Sequence, residues 1–473
     1  MGDSHAIVIG GSMAGLCAGR VLADFYDKVT LVDRDSYPDG ALERAGVPQS
    51  RHVHALLKRG RLELENLFPG FDRAMLAGGA LDINFTWDFA TLRETGWAAR
   101  SRDRTTTLFA SRVLIEATVR GLLRATHSNV QFIERCESIG LEAERNGAAR
   151  AAGVRLRPRD GGDVFVLRGD LVVDASGRSS KCDAWFKELG FDGPDDTVVD
   201  SHTGYASRWY QRTASAKRPP NWWWKGVWID PIAGDASSAG VLFPVERDRF
   251  IITTAGIGGN YPPGDEQGFT AALGSLRSPI IHEEVQLAEP ISPVYSNRQM
   301  ANRWRHYERW PARLDGFVAL GDSVCAFNPV YGQGMTTGAV SALILRDCLR
   351  RGAVNDVELP RKFFAALAKF QAQPWGLATG ADFRFPHTEG RRPRAGRIFD
   401  PILQAMFQAG NEDEVVRERI GDVIQMMKQP SSLFGPAILA RCALATIRRK
   451  LRPKPAPAPI AKMPPLFAQP ATA

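Results

Sequence analysis

The sequence is poor in the features that mark membrane-spanning, secreted and metal-binding proteins. It contains no run of about 18 apolar residues, the length that an ordinary membrane-spanning helix requires. Its six cysteines are scattered without a Cys-x-x-Cys pair, which fits neither a zinc site nor a disulfide scaffold. A strand is predicted directly after His5, which leaves no room for a signal peptide. We therefore expect a cytoplasmic protein without a metal site.

Acidic residues are absent after Asp422. The net charge of +8 is carried by the basic residues beyond that point, so residues 1–422 are neutral as a whole. The body of the protein therefore lacks the charge of a nucleic-acid-binding protein. The basic residues are Lys428, Arg441, Arg448, Arg449, Lys450, Arg452, Lys454 and Lys462. Their clustering predicts a weak contact of the C-terminal tail with anionic membrane surfaces, at the periphery of a membrane.

The C-terminal region is predicted to end in a helix and a disordered tail. The segment from Pro436 to Leu451 has helical spacing and is too short to span a bilayer. It can lie on a membrane surface or dock on the protein, and docking is the favoured interpretation. The low-complexity sequence from Pro453 onward predicts disorder.

A strand, a glycine-rich turn, a helix and a second strand follow one another at the N-terminus. Gly10, Ser12 and Gly15 occupy the three positions of the Gly-x-Gly-x-x-Gly turn, with serine in place of the middle glycine. Asp33 ends the second strand, where an acid bonds a ribose hydroxyl group. The arrangement predicts a dinucleotide site, with Ser12 able to donate a hydrogen bond to phosphate.

A second loop has the composition of a cofactor site. An apolar strand from Phe317 to Leu320 leads into Asp322, and a helix is predicted to open near Gly334. Backbone N–H groups at a helix start favour negative charge. This pattern suits the ribityl chain and ring of FAD, with Asp322 on the ribityl chain and the segment Gly332, Gly334, Met335 at the ring. No Ser-His-Asp arrangement or pair of acids stands out, so the flavin is expected to carry the chemistry.

The chain of 473 residues exceeds a typical single domain, and its pattern predicts an interleaved α/β fold. A Rossmann-like FAD-binding domain is expected over 1–78, 111–190 and 306–355. A mainly β substrate domain is expected over 79–110 and 191–305. A helical region over 356–452 and a tail over 453–473 complete the prediction. Leu81 to Thr95 is expected to be strand-like, and Val130 to Val173 to form a β-meander.

Four motifs in this order resemble the flavoprotein monooxygenases of the p-hydroxybenzoate hydroxylase fold. They are the segments 9–15, 44–54, 173–178 and 320–334, and the resemblance covers about residues 1–350. Within that family the chain is most similar to the bacterial branch that epoxidises or hydroxylates polyketide and terpenoid substrates. The resemblance implies FAD as cofactor, a C4a-hydroperoxyflavin as oxidant, and a large apolar substrate. It also implies NAD(P)H as reductant, used directly or through a partner flavin reductase.

The resemblance adds further cofactor-binding residues. Arg44 and Arg112 match cofactor-contacting arginines, and Arg34 follows the ribose acid. Asp174 matches a residue that contacts FAD, but it stands in Asp-Ala-Ser-Gly-Arg where the hydroxylases have Asp-Gly. Direct NADPH binding is therefore in doubt. His52 and His54 are weak candidates for tuning protonation, and buried hydrogen-bonded histidines are the favoured interpretation.

A set of aromatic residues is predicted to line the substrate pocket or, with equal weight, to form the core of the β domain. The set is Phe85, Trp87, Phe89, Trp209, Trp223 and Trp228. Three alternatives to a monooxygenase stay open. They are a flavin-dependent reductase of isoprenoid double bonds, a non-enzymatic flavin-binding protein, and a flavin halogenase. The halogenase alternative is disfavoured because the segment from Trp224 to Pro231 lacks the Trp-x-Trp-x-Ile-Pro spacing.

Overall fold

The computed structural model describes residues 3–101, 106–146, 148–213, 217–235, 237–298, 300–312, 314–352, 356–392, 394–451 and 461–465. In these ranges the helices are α1 (Met13–Leu22), α2 (Lys58–Leu67), α3 (Phe71–Ala77), α4 (Phe85–Asp88), α5 (Arg112–Thr126), α6 (Cys182–Glu188), α7 (Glu266–Gly274), α8 (Ile280–Val285), α9 (Gly334–Arg351), α10 (Leu359–Asp382), α11 (Arg394–Gly410), α12 (Glu414–Ile424) and α13 (Pro436–Leu451).

The strands in the same ranges are β1 (His5–Ile9), β2 (Lys28–Val32), β3 (Leu81–Ile83), β4 (Phe89–Arg93), β5 (Gly96–Trp97), β6 (Thr107–Phe109), β7 (Val130–Ile133), β8 (Cys136–Asn146), β9 (Ala148–Pro158), β10 (Phe165–Arg168), β11 (Leu171–Asp174), β12 (Asp196–Val199), β13 (Gly204–Arg212), β14 (Gly226–Ile229), β15 (Ser238–Val245), β16 (Arg249–Gly256), β17 (Ala288–Pro290), β18 (Tyr295–Asn297), β19 (Asn302–Arg305), β20 (Leu314–Asp315), β21 (Phe317–Ala319) and β22 (Cys325–Ala326).

A parallel sheet in the order β21-β11-β1-β2-β7 forms the centre of the nucleotide-binding part. Val8 lies opposite Val173 of β11 on one side and Leu31 of β2 on the other. These strands are mostly apolar because other elements cover the sheet, among them α1, which contacts β1 and β2, and β9, which contacts β11. The predicted meander over 130–173 is wrong at both ends, since β7 and β11 join the parallel sheet. The antiparallel part consists of β8, β9 and β10.

A second sheet has the order β17-β13-β16-β15-β14-β4-β5, with β18 also paired to β13. Its strand β4 lies parallel to β14, so two segments distant in sequence share one sheet. Val241 and Phe243 on one face join a cluster that contacts Val53 of the nucleotide-binding part. Leu242 on the other face packs in the cluster that α7 and α8 cover. The predicted mixed α/β fold is confirmed, and the domain boundaries stay predictions.

The predicted strand-like stretch from Leu81 to Thr95 is interrupted by a helical turn. The structure places α4 between β3 and β4. The carboxylate of Asp88 accepts a hydrogen bond of 2.9 Å from the backbone N–H of Asn84 and closes the turn. A local contact of this kind between side chain and backbone competes with the strand. Phe85 and Trp87 therefore do not follow the alternation of a strand.

Helices α10 to α13 follow the second cofactor loop, and the helix predicted over 436–451 is present as α13. Met406 of α11, Val416 of α12 and Ile438 of α13 share one buried cluster. None of the helices in the described ranges is both long enough and apolar enough to pass through a membrane. The C-terminal part is thus a small helical assembly with its own core.

Part of the predicted tail is held on the second sheet. The carbonyl oxygen of Ala461 accepts a hydrogen bond of 2.7 Å from the indole N–H of Trp97. The indole N–H of Trp223 donates to the carbonyl oxygen of Pro465 at 3.2 Å, and Ser278 Oγ donates to that of Lys462 at 2.5 Å. The prediction of disorder is therefore wrong for residues 461–465, because tryptophan side chains supply donors to a proline-rich segment. Residues 453–460 and 466–473 lie outside the described residues.

Candidate cofactor site

The turn between β1 and α1 is built on two glycines that admit no side chain. Gly10 has a φ of 98°, and a Cβ atom on it would lie 2.6 Å from the carbonyl oxygen of Ala175. A Cβ atom on Gly15 would lie 1.8 Å from the carbonyl oxygen of Gly10. Ser12 precedes α1 without a capping hydrogen bond from its side chain. The first N–H groups of α1 therefore stay available to an anion.

The hydroxyl group of Ser12 is engaged inside the protein. It donates to Glu116 Oε2 at 2.9 Å and accepts from Arg112 Nη2 at 2.7 Å. Arg112 Nη2 also lies 2.8 Å from Glu116 Oε2. The structure thus brings two predicted residues, Ser12 and Arg112, to one buried carboxylate that the sequence did not single out.

Arg44 connects this carboxylate to the acid at the end of β2. Its Nε atom donates to Glu116 Oε1 at 2.8 Å, and its Nη1 atom lies 3.0 Å from oxygen atoms of Asp33 and Asp35. Burial would raise the pKa of Glu116, but the charges of Arg112 and Arg44 outweigh it and hold that pKa below its ordinary value. Asp33 also accepts from the backbone N–H of Gly11 at 3.0 Å. Arg44 and Asp33 therefore lie together at the glycine-rich turn.

Buried donors around the turn suit an anionic ligand. Arg44 Nη2, Arg112 Nη1 and Ser50 Oγ have no hydrogen-bond partner among the described residues. All three residues line one small cavity. An unpaired buried donor costs about 1–3 kcal/mol, and more when it is charged. Phosphate oxygens are acceptors that guanidinium groups recognise, so this cluster fits the pyrophosphate group of FAD.

Two of the predicted cofactor-binding residues, Arg34 and Asp174, make their contacts outside the cluster of unpaired donors. Arg34 is exposed after β2, and its carbonyl oxygen accepts a hydrogen bond from Arg159. Asp174 is fully buried, and its carboxylate accepts from Ser176 and Ser180 of the loop that follows it. The structure therefore shows Asp174 organising its own loop.

The second cofactor loop meets the start of α1. A Cβ atom on Gly321 would lie 2.8 Å from the Cβ atom of Ala14, and one on Gly338 would lie 3.4 Å from the same atom. Asp322 lies beside the start of α9, where a Cβ atom on Gly334 would be 3.6 Å from its Oδ1 atom. Burial raises the pKa of Asp322. The two loops predicted from sequence thus form one crevice.

The residues before and at the start of α9 have features that suit the isoalloxazine ring of FAD. Gly332 is in the left-handed region with a φ of 65° and lies against Ala55. Gln333 is buried, and its Oε1 atom has no partner in the part of the chain that the structure describes. The isoalloxazine ring carries an N–H donor that such an acceptor suits. Met335 follows in the first turn of α9 and is also buried.

The two histidines lie next to this crevice and are neutral. Burial is the main cause that lowers the pKa of His52 to about 3 and that of His54 to about 4, and Arg112 contributes to the second shift. His52 Nδ1 is 2.8 Å from Ser207 Oγ of β13, and His54 Nδ1 is 3.1 Å from the carbonyl oxygen of His52. They therefore link the crevice to the second sheet.

A cavity of about 320 Å³ lies between the second sheet and the C-terminal helices. Phe85 and Phe89 line one side, with ring centroids 4.7 Å apart. Residues of α11 and α12, among them Phe407 and Ile420, line the other. Lys58 also lines the cavity, one residue after Leu57, which lies near Gly332. The start of α2 therefore contacts the loop before α9 through Leu57 and the cavity through Lys58.

The remaining predicted pocket residues divide between two faces of the sheet. Trp209 and Trp228 belong to the cluster on the face towards the nucleotide-binding part. Trp87 and Trp223 instead lie against the guanidinium group of Arg100, which is 3.9 and 4.0 Å from their ring centroids. None of these four tryptophans lines the described cavity.

Two buried acids, Glu116 and Asp382, were missed from the sequence, and so was the lining of the cavity by α12, although a helical region over 356–452 was predicted. Glu116 lies one helical turn after Arg112, a spacing that signals an ion pair. Asp382, at the end of α10, gave no local signal. The lining of the cavity by α12 could not be read from sequence either, because it depends on how the C-terminal helices pack.

Solved structures show which fold this chain has. The flavin-dependent brominase Bmp2 aligns with a TM-score of 0.64 over 94% of this chain and 100% of that chain, at 14% identity. A flavoprotein/dehydrogenase from Cytophaga hutchinsonii aligns with a TM-score of 0.63 over 94% and 99%, at 16% identity. The chain therefore has the fold of FAD-dependent oxidoreductases. Identities this low establish the fold alone.

A relative from Mycobacterium tuberculosis is similar enough in sequence to show the family of this chain. No family model matches the chain. Protein Rv3254 of Mycobacterium tuberculosis (strain ATCC 25618 / H37Rv) is 32% identical over 415 residues, which cover 85% of this chain and 86% of that protein. The chain belongs to the same family as Protein Rv3254.

Proposed function

We propose that the protein is an FAD-dependent monooxygenase that transfers one oxygen atom from O2 to a large apolar substrate, by epoxidation or hydroxylation. The observation that carries the proposal is the meeting of the two glycine loops at Ala14. It joins a turn suited to pyrophosphate to a helix start suited to a flavin ring. Two separate weak motifs thereby become one site for one elongated cofactor.

The side chains around the crevice would hold this cofactor. Arg44 and Arg112 would direct their unpaired N–H groups to its phosphates, and Gln333 would accept from its ring. The start of α9 would stabilise negative charge on the ring, by about 0.3–2 kcal/mol for a helix terminus. Bound FAD supplies the redox and oxygen-activating chemistry, which side chains alone lack.

The cavity between the sheet and the C-terminal helices would receive the substrate. Phe85, Phe89, Phe407 and Ile420 give it an apolar side that suits an apolar molecule, and its volume lies in the range of small-molecule pockets. Charged side chains, among them Arg93, Arg417 and Asp422, line the rest of the cavity. Oxygen transfer would consume one molecule each of substrate, O2 and NAD(P)H with one proton, and would release oxidised product, NAD(P)+ and water. NAD(P)H would act directly or through a partner flavin reductase.

The test begins with the visible spectrum of the purified protein. We expect flavin absorption, or uptake of added FAD, and O2 consumption that depends on reductant and an alkene or aromatic substrate. Isotopically labelled O2 should place one labelled oxygen atom in the product. Arg112→Ala should weaken FAD binding, whereas Arg168→Ala, which alters an exposed ion pair, should not. A protein that takes up no FAD, or product formed without labelled oxygen, would contradict the proposal.

One observation favours halogenation as a second candidate. Lys58 is buried and lines the cavity, and the halogenase alternative needs an active-site lysine. Bromide or chloride added to the reduced system with O2 would yield a halogenated product in this case, and Lys58→Gln would abolish it. Halide-independent oxygen transfer by both forms would exclude this candidate.

A further inference from the structure

Helix α13 carries two separate apolar faces. Ile438, Cys442 and Ala445 recur at helical spacing and are buried against α11 and α12. Leu444, Ile447 and Leu451 recur at intervals of three and four residues on another side, and they are 46%, 54% and 80% exposed. The buried face is enough to dock the helix. The exposed apolar face therefore has no role in that docking.

Cations border the exposed face on both sides. At about 100° per residue, Arg448 lies next to Leu444 on one side, and Lys450 lies next to Ile447 on the other. Neither cation has an ion pair within the ranges that the structure describes. By contrast, Arg441 is 2.9 Å from Asp413, and Arg449 is 3.4 Å from Glu412. The paired cations hold the helix to the body, and the unpaired ones flank the apolar strip.

The sequence beyond the helix strengthens the same charge. Arg452, Lys454 and Lys462 follow Leu451, and no acidic residue occurs after Asp422. A surface of one sign beside an exposed apolar strip suits an anionic partner with an apolar layer beneath its charges. Headgroups and acyl chains of an anionic bilayer offer both within the depth that an interfacial helix reaches.

We propose that α13 binds the surface of anionic membranes, with Leu444, Ile447 and Leu451 in the interface and Arg448 and Lys450 at the headgroups. In this proposal the helix docks on the protein through one face and on the membrane through the other. This binding does not depend on FAD or on oxygen transfer. It would place the helices that line the cavity next to a bilayer, where large apolar molecules reside.

Vesicle sedimentation of the full-length protein tests the proposal. We expect wild type to sediment with vesicles of phosphatidylcholine and phosphatidylglycerol, and to be released by high salt. Replacing Leu444, Ile447 and Leu451 together with Gln should lower sedimentation at least tenfold without loss of folding, since Gln is a good helix former and the sites are exposed. The matched control Val164→Gln with Val166→Gln changes residues that are 51% and 42% exposed on another surface. It should sediment as wild type does.

A second variant tests the role of the charges. Arg448→Gln combined with Lys450→Gln should weaken binding to anionic vesicles at least several-fold. Three outcomes would overturn the proposal. The first is wild type that does not sediment with anionic vesicles. The second is a triple Gln variant that sediments with vesicles as much as wild type does, which would show that the charge of the tail alone causes the binding. The third is a wild-type protein that sediments without vesicles when the triple variant does not. That result would show that a second copy covers the strip.

Discussion

The hydroxyl group of Tyr331 donates a hydrogen bond of 2.6 Å to the carboxylate of Asp382. Tyr331 belongs to the loop that leads into α9, and Asp382 is the last residue of α10. The same carboxylate accepts from Asn302 at 2.6 Å and from Asn328 at 3.3 Å. A single acid from the C-terminal helices therefore fixes the loop at the predicted flavin ring.

Asp382→Ala should destabilise the protein and loosen this loop. The substitution removes an acceptor from the buried amide groups of Asn302 and Asn328 and from the half-buried hydroxyl group of Tyr331. Each unsatisfied buried group costs about 1–3 kcal/mol. Urea unfolding should show a loss of several kcal/mol, and FAD should dissociate faster. Asp163→Ala, at an exposed site, should change stability by no more than about 0.5 kcal/mol. Equal stability of the two variants would show that the network does not hold the loop.

Gly15→Ala should destabilise the protein, whereas Gly121→Ala should stabilise it. A Cβ atom at residue 15 would meet the carbonyl oxygen of Gly10, whereas one at residue 121 of α5 has nothing within 4 Å. Overpacking against backbone costs about 1–3 kcal/mol or more. Alanine in an open helical position gains about 0.5–1 kcal/mol over glycine. Thermal unfolding midpoints should move in opposite directions, and a stable Gly15→Ala protein with normal FAD uptake would refute the packing argument.

Gly15 and Asp382 show which parts of the site could be predicted from the sequence. The roles of Gly10, Gly15 and Gly334 follow from spacing within a short segment, because a tight turn and a helix start are local. Asp382 was not predictable, since its partners lie more than fifty residues away and meet it only after the C-terminal helices pack.

The aromatic residues show the same limit within the second sheet. Trp209 and Trp223 share the chemistry of a pocket residue, yet they lie on opposite faces of the sheet. The face that Trp209 occupies depends on the register of β13, which is set by pairing with distant strands. Trp223 lies in the loop before β14, and its position depends on how that loop packs. In the same way, α4 replaced a predicted strand because one side chain closed a turn.

Acid should destabilise the protein through His52. Its pKa falls from 6.5 in the unfolded chain to about 3 in the folded protein, mainly because of burial. A lowered folded-state pKa gives stability that is present above pH 6.5 and is lost as pH falls towards 3. At about pH 5 the loss from this group is about 2 kcal/mol. His52→Gln should reduce the difference in unfolding free energy between about pH 7.5 and pH 5 by that amount.

The control for His52→Gln is the range above pH 6.5. There the unfolded histidine is also mostly neutral, so the stability curves of wild type and variant should run parallel. Curves that stay parallel down to about pH 5 would mean that His52 takes up a proton in the folded state as readily as in the unfolded chain.

Removal of residues 461–473 should expose the two tryptophans that hold the C-terminal segment. Trp97 and Trp223 donate to carbonyl oxygens of Ala461 and Pro465, and Met463 packs beside them. Their fluorescence should shift to longer wavelength, and stability should fall by about 1–3 kcal/mol, since each lost hydrogen bond contributes about 0.5–1.5 kcal/mol. Removal of residues 466–473 alone keeps all three contacts and should leave the spectrum unchanged. If both truncations gave the wild-type spectrum, the segment would not be bound to the sheet in solution. If both gave the shifted spectrum, the terminal eight residues would be needed to hold it there.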